Sequence, residues 1–483
     1  MATNRIDLTP KTIPNRFKPK SQKLGKQRWL LTLLIVVSLI SGGLGAGLAL
    51  VMSSRPLQQS KLSAEQEALN ANSMTAATAG LPTLTRPVNI LVLGTILLTS
   101  DLPDAAQRPK TKYLEQVDGN LNGMSDAMLM MRFDPTTKKL TVLSIPRDSR
   151  VHIQGVGETK INAANYLGGA SLSAQTVSQM LGDVPIDRYI RVNVDGFGKL
   201  IDALGGVDIY VPKRMKYQDD SQHLYINLKP GQQHLDGAKA VQYMRYRYDD
   251  LGDIGRVQRQ QTFFRSFVEQ KLNVETIAKL PDVLSVLKEN IDTNLSVEEI
   301  LALAAFVSKT NRKDARMLMV PGRFSNPGEY NLSYWIVDYK HLSRLMVDHF
   351  NVTAKSQDLD EDSHSPKYIR VAIQDSIKKP DGVKSATNVL SKAGYGQVFP
   401  ADTPWAKPLT KTQIVAQQGD RTTAEQVRQA LGMGEIVVES TGSIESDVTV
   451  RLGRDWLTAQ PTVTLSNAQP STFFKMLIKP QIS

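Results

Sequence analysis

The fold class is decided by the stretch Val88-Asn89-Ile90-Leu91-Val92-Leu93, an apolar run that Gly94 ends. Two further short apolar runs follow, from Ala127 to Phe133 and from Leu140 to Ile145. Continuous rather than alternating apolarity is typical of strands that are covered on both faces. Helical patterns lie between and after these runs, at Ser171 to Leu181, Gly196 to Leu204 and Asp253 to Leu272. The pattern therefore predicts an α/β/α sandwich with a central mixed sheet.

A second, smaller α/β domain is predicted behind a polar linker at 351–367. This linker carries four acids within the five residues from Asp358 to Asp362, which is typical of a solvated connection. Beyond it, the sequence predicts helices at Gly382 to Ala393 and Thr423 to Leu431, and strands at Tyr368 to Ile373, Glu435 to Val438 and Asp447 to Leu452. The predicted domains are therefore residues 87–350 and 368–456, with a tail at 457–483.

The net charge of +11 belongs mostly to the N-terminus of the 483-residue chain. Residues 1–28 carry eight lysines and arginines against the single acid Asp7, a balance of +7, which leaves 11 − 7 = +4 for all the rest. A nucleic-acid-binding domain needs a basic surface on its folded part. The charge distribution therefore argues against a nucleic-acid partner.

A membrane span is predicted directly after this basic tail. Residues 29–52 run from Trp29 to Met52 without a charge, and 24 residues of helix reach about 36 Å, enough to cross a bilayer. The lysines and arginines before the run place the N-terminus in the cytoplasm. The alternative is a cleaved signal peptide, but the run is longer than a usual signal and no small-x-small cleavage site follows Met52. We expect a single-pass plasma-membrane protein with a stalk at 53–86 and the rest of the chain outside, on the periplasmic side.

Four arginines are predicted to converge within the stretch from Tyr243 to Gln261. If residues 241–247 are extended, Arg245 and Arg247 project to the same face. If a helix begins near Asp253, three further side chains share one helical face, those of Arg256, Arg259 and Gln260. Like charges gather in this way around a compensating anion, and the guanidinium fork suits phosphate oxygens. The alternative is a salt-bridge network with Asp249, Asp250 and Asp253.

Three other segments add to this predicted anion site. Arg147 follows the apolar run that ends at Ile145, and ligands usually lie at the carboxyl ends of strands in α/β sheets. Asp126 lies at the entry to the run from Ala127, where an acid near phosphates commonly holds Mg²⁺; the alternative is an ordinary turn or capping aspartate. Lys160 adds one cation, with a solvated helix start as the alternative.

The order of these motifs resembles the LytR-CpsA-Psr family of cell-wall glycopolymer transferases. The resemblance covers Pro87 to Phe350, and residues Tyr368 to Trp456 resemble the LytR C-terminal domain. The motifs that carry it are Ser125-Asp126, Ser144-Ile145-Pro146-Arg147-Asp148, Lys160-Ile161-Asn162, Gly205-Gly206-Val207, Gly231 with Leu235-Asp236-Gly237, Arg245-x-Arg247 and Gly252-Asp253-x-x-Arg256-x-x-Arg259-Gln260.

The resemblance implies an enzyme that moves a glycan phosphate from a polyprenyl pyrophosphate to a peptidoglycan hydroxyl. It implies that the pyrophosphate is contacted by Arg147, Arg245, Arg247, Arg256 and Gln260, with Lys160 and Arg259 in support. Asp253 would orient Arg256 or help to deprotonate the acceptor, and Asp126 would bind Mg²⁺. Most members carry a second metal-binding aspartate in a Gly-x-Asp-x-Arg-like motif after the first strand. Here that place reads Gly94-Thr95-Ile96-Leu97-Leu98-Thr99-Ser100-Asp101, so the second ligand is missing from its expected position.

Two other functions use the same features. A lipid pyrophosphate hydrolase would bind its substrate with the same arginines and use water as the acceptor. A membrane-bound envelope regulator would use the anion site for binding without turnover.

Overall fold

The structure, a computed structural model, describes residues 59, 73–76, 81–96, 121–220, 224–247, 252–271, 283, 286, 288–311, 314–352 and 365–458. The chain forms two compact units, Met1–Ser54 and Arg55–Ser483, and the first lies wholly outside the described residues. The span predicted at 29–52 lies there too and stays a prediction. Among the residues that are described, no helix has both the length and the apolar character needed to cross a membrane.

The first folded region extends to residue 352. Its strands are β1 (Thr75–Ala76), β2 (Thr83–Leu84), β3 (Val88–Ile96), β4 (Met124–Asp134), β5 (Lys139–Ser144), β6 (Arg150–Ile153), β7 (Gly157–Lys160), β8 (Arg188–Asn193), β9 (Val207–Val211), β10 (Met215–Asp219), β11 (Leu224–Leu228), β12 (Gly231–Leu235), β13 (Ile291–Thr293), β14 (Ala315–Met319), β15 (Gly322–Phe324) and β16 (Trp335–Val337). Its helices are α1 (Ala163–Met180), α2 (Val194–Ala203), α3 (Gly237–Arg245), α4 (Gly252–Lys271), α5 (Val297–Ser308) and α6 (Tyr339–Phe350).

A six-stranded mixed sheet forms the centre of this region, in the order β13-β8-β3-β4-β5-β14. The β8–β3 and β5–β14 pairs are parallel, and the other three pairs are antiparallel. The prediction of an α/β fold with a central mixed sheet is therefore confirmed. Strands β3, β4 and β5 lie where the three apolar runs predict them.

The core lies on both faces of the sheet, as continuous apolarity predicts. Leu91 and Leu93 of β3 pack on one face, against α1 and α6. Val88 and Ile90 of the same strand pack on the other face, against α5. Successive side chains of a strand point to opposite faces, so both halves of this alternation need apolar residues here.

The ends of two helices have local causes. Helix α5 begins after Ser296, whose hydroxyl accepts from the backbone N–H of Glu299 in a capping box. The sequence pattern predicts helix α1 only from Ser171, whereas the helix begins at Ala163 and is kinked at Gly168 and Gly169. The glycine pair interrupts the periodicity on which this prediction depends.

Part of the predicted stalk is folded. Strands β1 and β2, within residues 53–86, pair with each other, and Met74 is fully buried in the core under α5. The Thr75 hydroxyl donates to Glu298 Oε1 of α5 at 2.9 Å. These residues therefore belong to the first folded region rather than to a solvated stalk.

The second region is a small α/β layer with a five-stranded sheet in the order β18-β17-β21-β19-β20. Its elements are β17 (Arg370–Asp375), α7 (Pro380–Lys392), β18 (Gln397–Pro400), β19 (Gln413–Ala416), α8 (Arg421–Leu431), β20 (Glu435–Val438), β21 (Val448–Leu452) and α9 (Asp455–Thr458). Every pairing is parallel except that of β19 with β21. Its core is continuous with the first region's, since residues of β17 and β21 join Leu91 and Leu318 in one buried cluster.

Candidate active site

Asp126 lies at the centre of a group of arginines. Its Oδ1 accepts from Arg147 Nη1 at 2.7 Å, and its Oδ2 lies 3.2 Å from Arg247 Nη2 and 3.8 Å from Arg256 Nη1. Burial alone would raise the pKa of Asp126, but the three guanidiniums together outweigh this effect and lower the pKa to about 2. The carboxylate is therefore ionised throughout the neutral range.

The hairpin of β4 and β5 places Arg147 beside Asp126. Leu129 pairs with Ser144 in this antiparallel ladder, and the same register continued by three residues sets 126 opposite 147. A turn follows β5, in which the Ser149 amide donates to the Pro146 carbonyl at 3.0 Å. The backbone oxygen of Arg147 accepts from the Asn162 amide at 3.2 Å, which ties the turn to the start of α1.

Arg245 and Arg247 reach the site from the end of a helix. Residues 241–245 belong to α3, so the prediction that 241–247 is extended is wrong; Tyr246 ends the helix with φ −61° and ψ 131°. Asp236 caps the start of this helix: its side chain accepts a hydrogen bond from the Lys239 amide. Burial lowers the pKa of Arg245, and the nearby charge of Asp126 opposes this, whereas Arg247 adds to it.

Helix α4 supplies the buried members of the group. It spans Gly252–Lys271, close to the predicted range, and Arg256 and Gln260 are 2% and 8% exposed. Arg259 does not share the position of Arg256. The Arg259 guanidinium donates to the Tyr246 carbonyl and lies 5.3 Å from the centroid of the Tyr246 ring. Burial lowers the pKa of Arg259 to about 10. Arg259 therefore holds the turn that carries Arg247.

The structure places the side chain of Lys160 near the site, whereas it does not describe that of Asp253. Lys160 Nζ lies 2.9 Å from Asp148 Oδ1, and the same carboxylate oxygen is 3.9 Å from Arg147 Nε, so Lys160 joins the site through Asp148. The backbone of Asp253 lies in the first turn of α4, but its side chain is outside the described residues. The sequence motif gives Asp148 no role of its own; its position next to Arg147 in the sequence is the signal that points to it.

Several guanidiniums gather around the carboxylate of Asp126. Four arginines, at 147, 245, 247 and 256, lie near it. Two other acids lie at the edge of this cluster: Asp148 beside Arg147 and Lys160, and Asp219 near Arg245. The predicted salt bridges to Asp249 and Asp250 lie outside the described residues. A cluster of guanidiniums suits a bound anion with several oxygens, such as a pyrophosphate.

The donor set around Asp126 suits Mg²⁺ only in part. In the portion of the chain that is described, no group of three or more His, Cys, Asp or Glu side chains could hold a metal ion. Both oxygens of Asp126 already face guanidiniums. Mg²⁺ commonly uses one or two carboxylates together with substrate phosphates. The site thus fits an ion that is held partly by substrate oxygens. The segment from Leu97 to Asp101, where a second carboxylate ligand is expected, lies outside the described residues.

The chain belongs to the LytR_cpsA_psr family, whose model matches residues 53–349. Residues 368–456 match the model of the LytR cell envelope-related transcriptional attenuator. Both matches confirm the resemblance predicted from the motifs.

Particular relatives include the polyisoprenyl-teichoic acid–peptidoglycan teichoic acid transferase TagV of Bacillus subtilis, 34% identical over 241 residues, which are 48% of this chain and 61% of TagV. The regulatory protein MsrR of Staphylococcus aureus is 35% identical over 199 residues, 41% of this chain and 59% of MsrR. The chain thus spans less than two thirds of the length of these relatives. The crystal structure of B. subtilis TagV is 30% identical, covers 56% of this chain and 99% of that one, and has a TM-score of 0.46.

Proposed function

We propose that this protein is a phosphotransferase that moves a glycan phosphate from polyprenyl pyrophosphate to a peptidoglycan hydroxyl. The observation that carries the proposal is the cluster of arginines around Asp126. Such a cluster suits a lipid-linked pyrophosphate, which presents several anionic oxygens. The name of TagV, a teichoic acid transferase acting between a polyisoprenyl carrier and peptidoglycan, supports the same reaction class.

The proposed reaction is one phosphoryl transfer. The acceptor hydroxyl oxygen forms a bond to the sugar-proximal phosphorus, and the bond from that phosphorus to the bridging oxygen breaks. Polyprenyl phosphate leaves with the electron pair, while the hydroxyl proton passes to a base. Arg147, Arg245, Arg247 and Arg256 neutralise the charge that develops on the phosphoryl oxygens, which is the main resource of such catalysis.

The base in this proposal is Asp253 rather than Asp126. A general base works best when its pKa lies near the operating pH, and the pKa of Asp126 is about 2. Asp126 instead spaces the guanidiniums before the donor binds. Asp253, in the first turn of α4, accepts the hydroxyl proton in this proposal.

Mg²⁺ remains part of the proposal as an ion shared between Asp126 and the donor. When bound, it would neutralise further charge on the pyrophosphate. Guanidiniums that move to the pyrophosphate would free the Asp126 oxygens for the ion. If full activity survives a chelator, this role of Asp126 is wrong.

The donor and the enzyme would share one membrane. A span at 29–52 would tether the protein to the plasma membrane with its active site outside, and such tethering raises the effective concentration of a lipid substrate. Protease protection of the N-terminus in sealed vesicles would test this topology.

The decisive experiment incubates the full-length chain with labelled lipid-pyrophosphate glycan and peptidoglycan. Label on the peptidoglycan is expected, together with release of polyprenyl phosphate. Label found only as free glycan phosphate would replace the transferase with a hydrolase. Binding of the donor without turnover would favour the regulatory function that the name of MsrR describes.

A further inference from the structure

Helix α4 touches both the arginine site and the second region. Arg256 of this helix faces Asp126. Two other side chains of α4 contact the 439–442 segment, which follows β20. The Gln258 Nε2 donates to the Gly442 carbonyl at 2.8 Å and to the Ser440 carbonyl at 3.4 Å, and Arg265 Nη2 lies 2.8 Å from Glu439 Oε2. Helix α4 therefore connects the arginine site to the second region.

Glu439 anchors the 439–442 segment inside the second region. Its side chain is 6% exposed and pairs with Arg451 Nη1 of β21 at 2.7 Å. Arg451 also donates to Gln374 of β17 at 3.1 Å, and its guanidinium lies 3.6 Å from the centroid of the Trp405 ring. Burial alone would raise the pKa of Glu439, but Arg265 and Arg451 outweigh this effect and lower the pKa to about 2. The carboxylate is thus a charged link between α4 and two strands of the second sheet.

Ser440 joins the same segment to β14, the edge strand of the central sheet. Its backbone N–H donates to the Met317 carbonyl at 2.7 Å, and its hydroxyl accepts from the Met319 amide at 2.9 Å. Gln261 of α4 donates to the Leu318 carbonyl at 2.9 Å. Helix, strand and segment therefore fix one another through hydrogen bonds that are buried or partly buried.

We infer that the second region is a positioning element for the arginine site, acting through the 439–442 segment on α4. Gln258 is two residues from Arg256, so a helix that rotates or slides at Gln258 also moves Arg256. A displacement of about 1 Å in a catalytic group can lower a rate by about 100-fold. The kinetic part of this inference rests on the proposed transfer reaction; its binding part does not.

The test compares Gln258→Ala and Glu439→Gln with the control Asp455→Ala in the full-length chain. Asp455 accepts three hydrogen bonds from Thr412, at 2.8 to 3.0 Å, and so supports the second region without a recorded contact to α4. We expect kcat to fall about tenfold or more in the first two variants while the KM for the acceptor is unchanged. Asp455→Ala should keep the wild-type kcat.

Two further readouts keep the inference separate from the proposed function. Inorganic pyrophosphate, used as a probe of the arginine site, should bind more weakly to Gln258→Ala and Glu439→Gln than to the wild type and the control. Amides of α4 should exchange hydrogen faster in the same two variants. If the wild type transfers no glycan, the proposed function fails, and these two readouts still decide the inference.

The inference is overturned if Gln258→Ala and Glu439→Gln both keep the wild-type pyrophosphate affinity and exchange rates. It is also overturned if Asp455→Ala loses as much activity or affinity as Glu439→Gln, because a general loss of stability would then explain both. Gln258→Ala decides the matter should Glu439→Gln fail to fold, since Gln258 carries no charge.

Discussion

Asp126 and Glu439 are both carboxylates held among arginines with a pKa of about 2, but their surroundings differ. Glu439 is 6% exposed, and Arg451 beside it has neutral partners in Gln374 and Thr441. Asp126 is 24% exposed, and Arg247 beside it is 47% exposed. The Glu439 cluster is enclosed, whereas the Asp126 cluster is open to solvent and contains several arginines. This difference is expected if the first cluster stabilises the fold and the second, as we propose, binds an anion.

The largest expected effect is on turnover at the open cluster. Arg247→Ala should lower the transfer rate by about 100- to 1,000-fold, because it removes one donor that stabilises charge in the transition state. The rate is measured with labelled lipid-pyrophosphate glycan. Arg150→Ala is the control, since Arg150 pairs with Glu158 and lies over the Tyr330 ring, away from Asp126. Equal rates for Arg247→Ala and wild type would remove the anion-site argument.

The second effect is on stability at the enclosed cluster. Glu439→Gln should lower the free energy of unfolding by about 3 kcal/mol, because it leaves the guanidiniums of Arg265 and Arg451 buried beside a neutral group. Urea unfolding at neutral pH measures this value. A loss below about 1 kcal/mol would mean that the cluster is not the enclosed ion pair described above.

The third effect is the response of both clusters to acid. Their carboxylates have folded pKa values of about 2, below the values of about 4 expected in the unfolded chain. Folding therefore favours the ionised form, so their stabilisation is complete above about pH 4.5 and is lost as the pH falls towards 2. We expect the free energy of unfolding to drop by a few kcal/mol across that window. Asp126→Asn and Glu439→Gln should each reduce the drop, and an unchanged drop in the double variant would contradict its assignment to these two residues.

The sequence predicts the elements of the site better than its contacts. The helical spacing of Arg256 and Gln260 predicts α4 correctly because periodicity is a local property. The alternation of arginine and tyrosine from Arg245 to Tyr248 suggests an extended segment, which is wrong. The residues before Arg245 form a helix that Asp236 caps. The spacing places Arg259 on the same helical face as Arg256. In the structure its guanidinium instead donates to the carbonyl of Tyr246 at the end of α3.

Contacts between distant segments could be predicted only where a register is known. The pairing of Asp126 with Arg147 follows from the β4–β5 hairpin once Leu129 is set opposite Ser144. The link between Arg265 and Glu439 joins residues 174 positions apart in two folded regions, and no local pattern signals it. Tertiary packing alone decides such a pair.

The smallest expected effect separates the two clusters most directly. Arg247→Ala should change the free energy of unfolding by less than about 1 kcal/mol, because exposed ion pairs contribute little in water. Its guanidinium is about half exposed, and Asp126 keeps Arg147 and Arg256 when Arg247 is removed. Urea unfolding of Arg247→Ala beside Glu439→Gln measures the contrast under one condition. A large loss of stability in Arg247→Ala would show that the open cluster also holds the fold together, and its loss of turnover would then no longer identify an anion site.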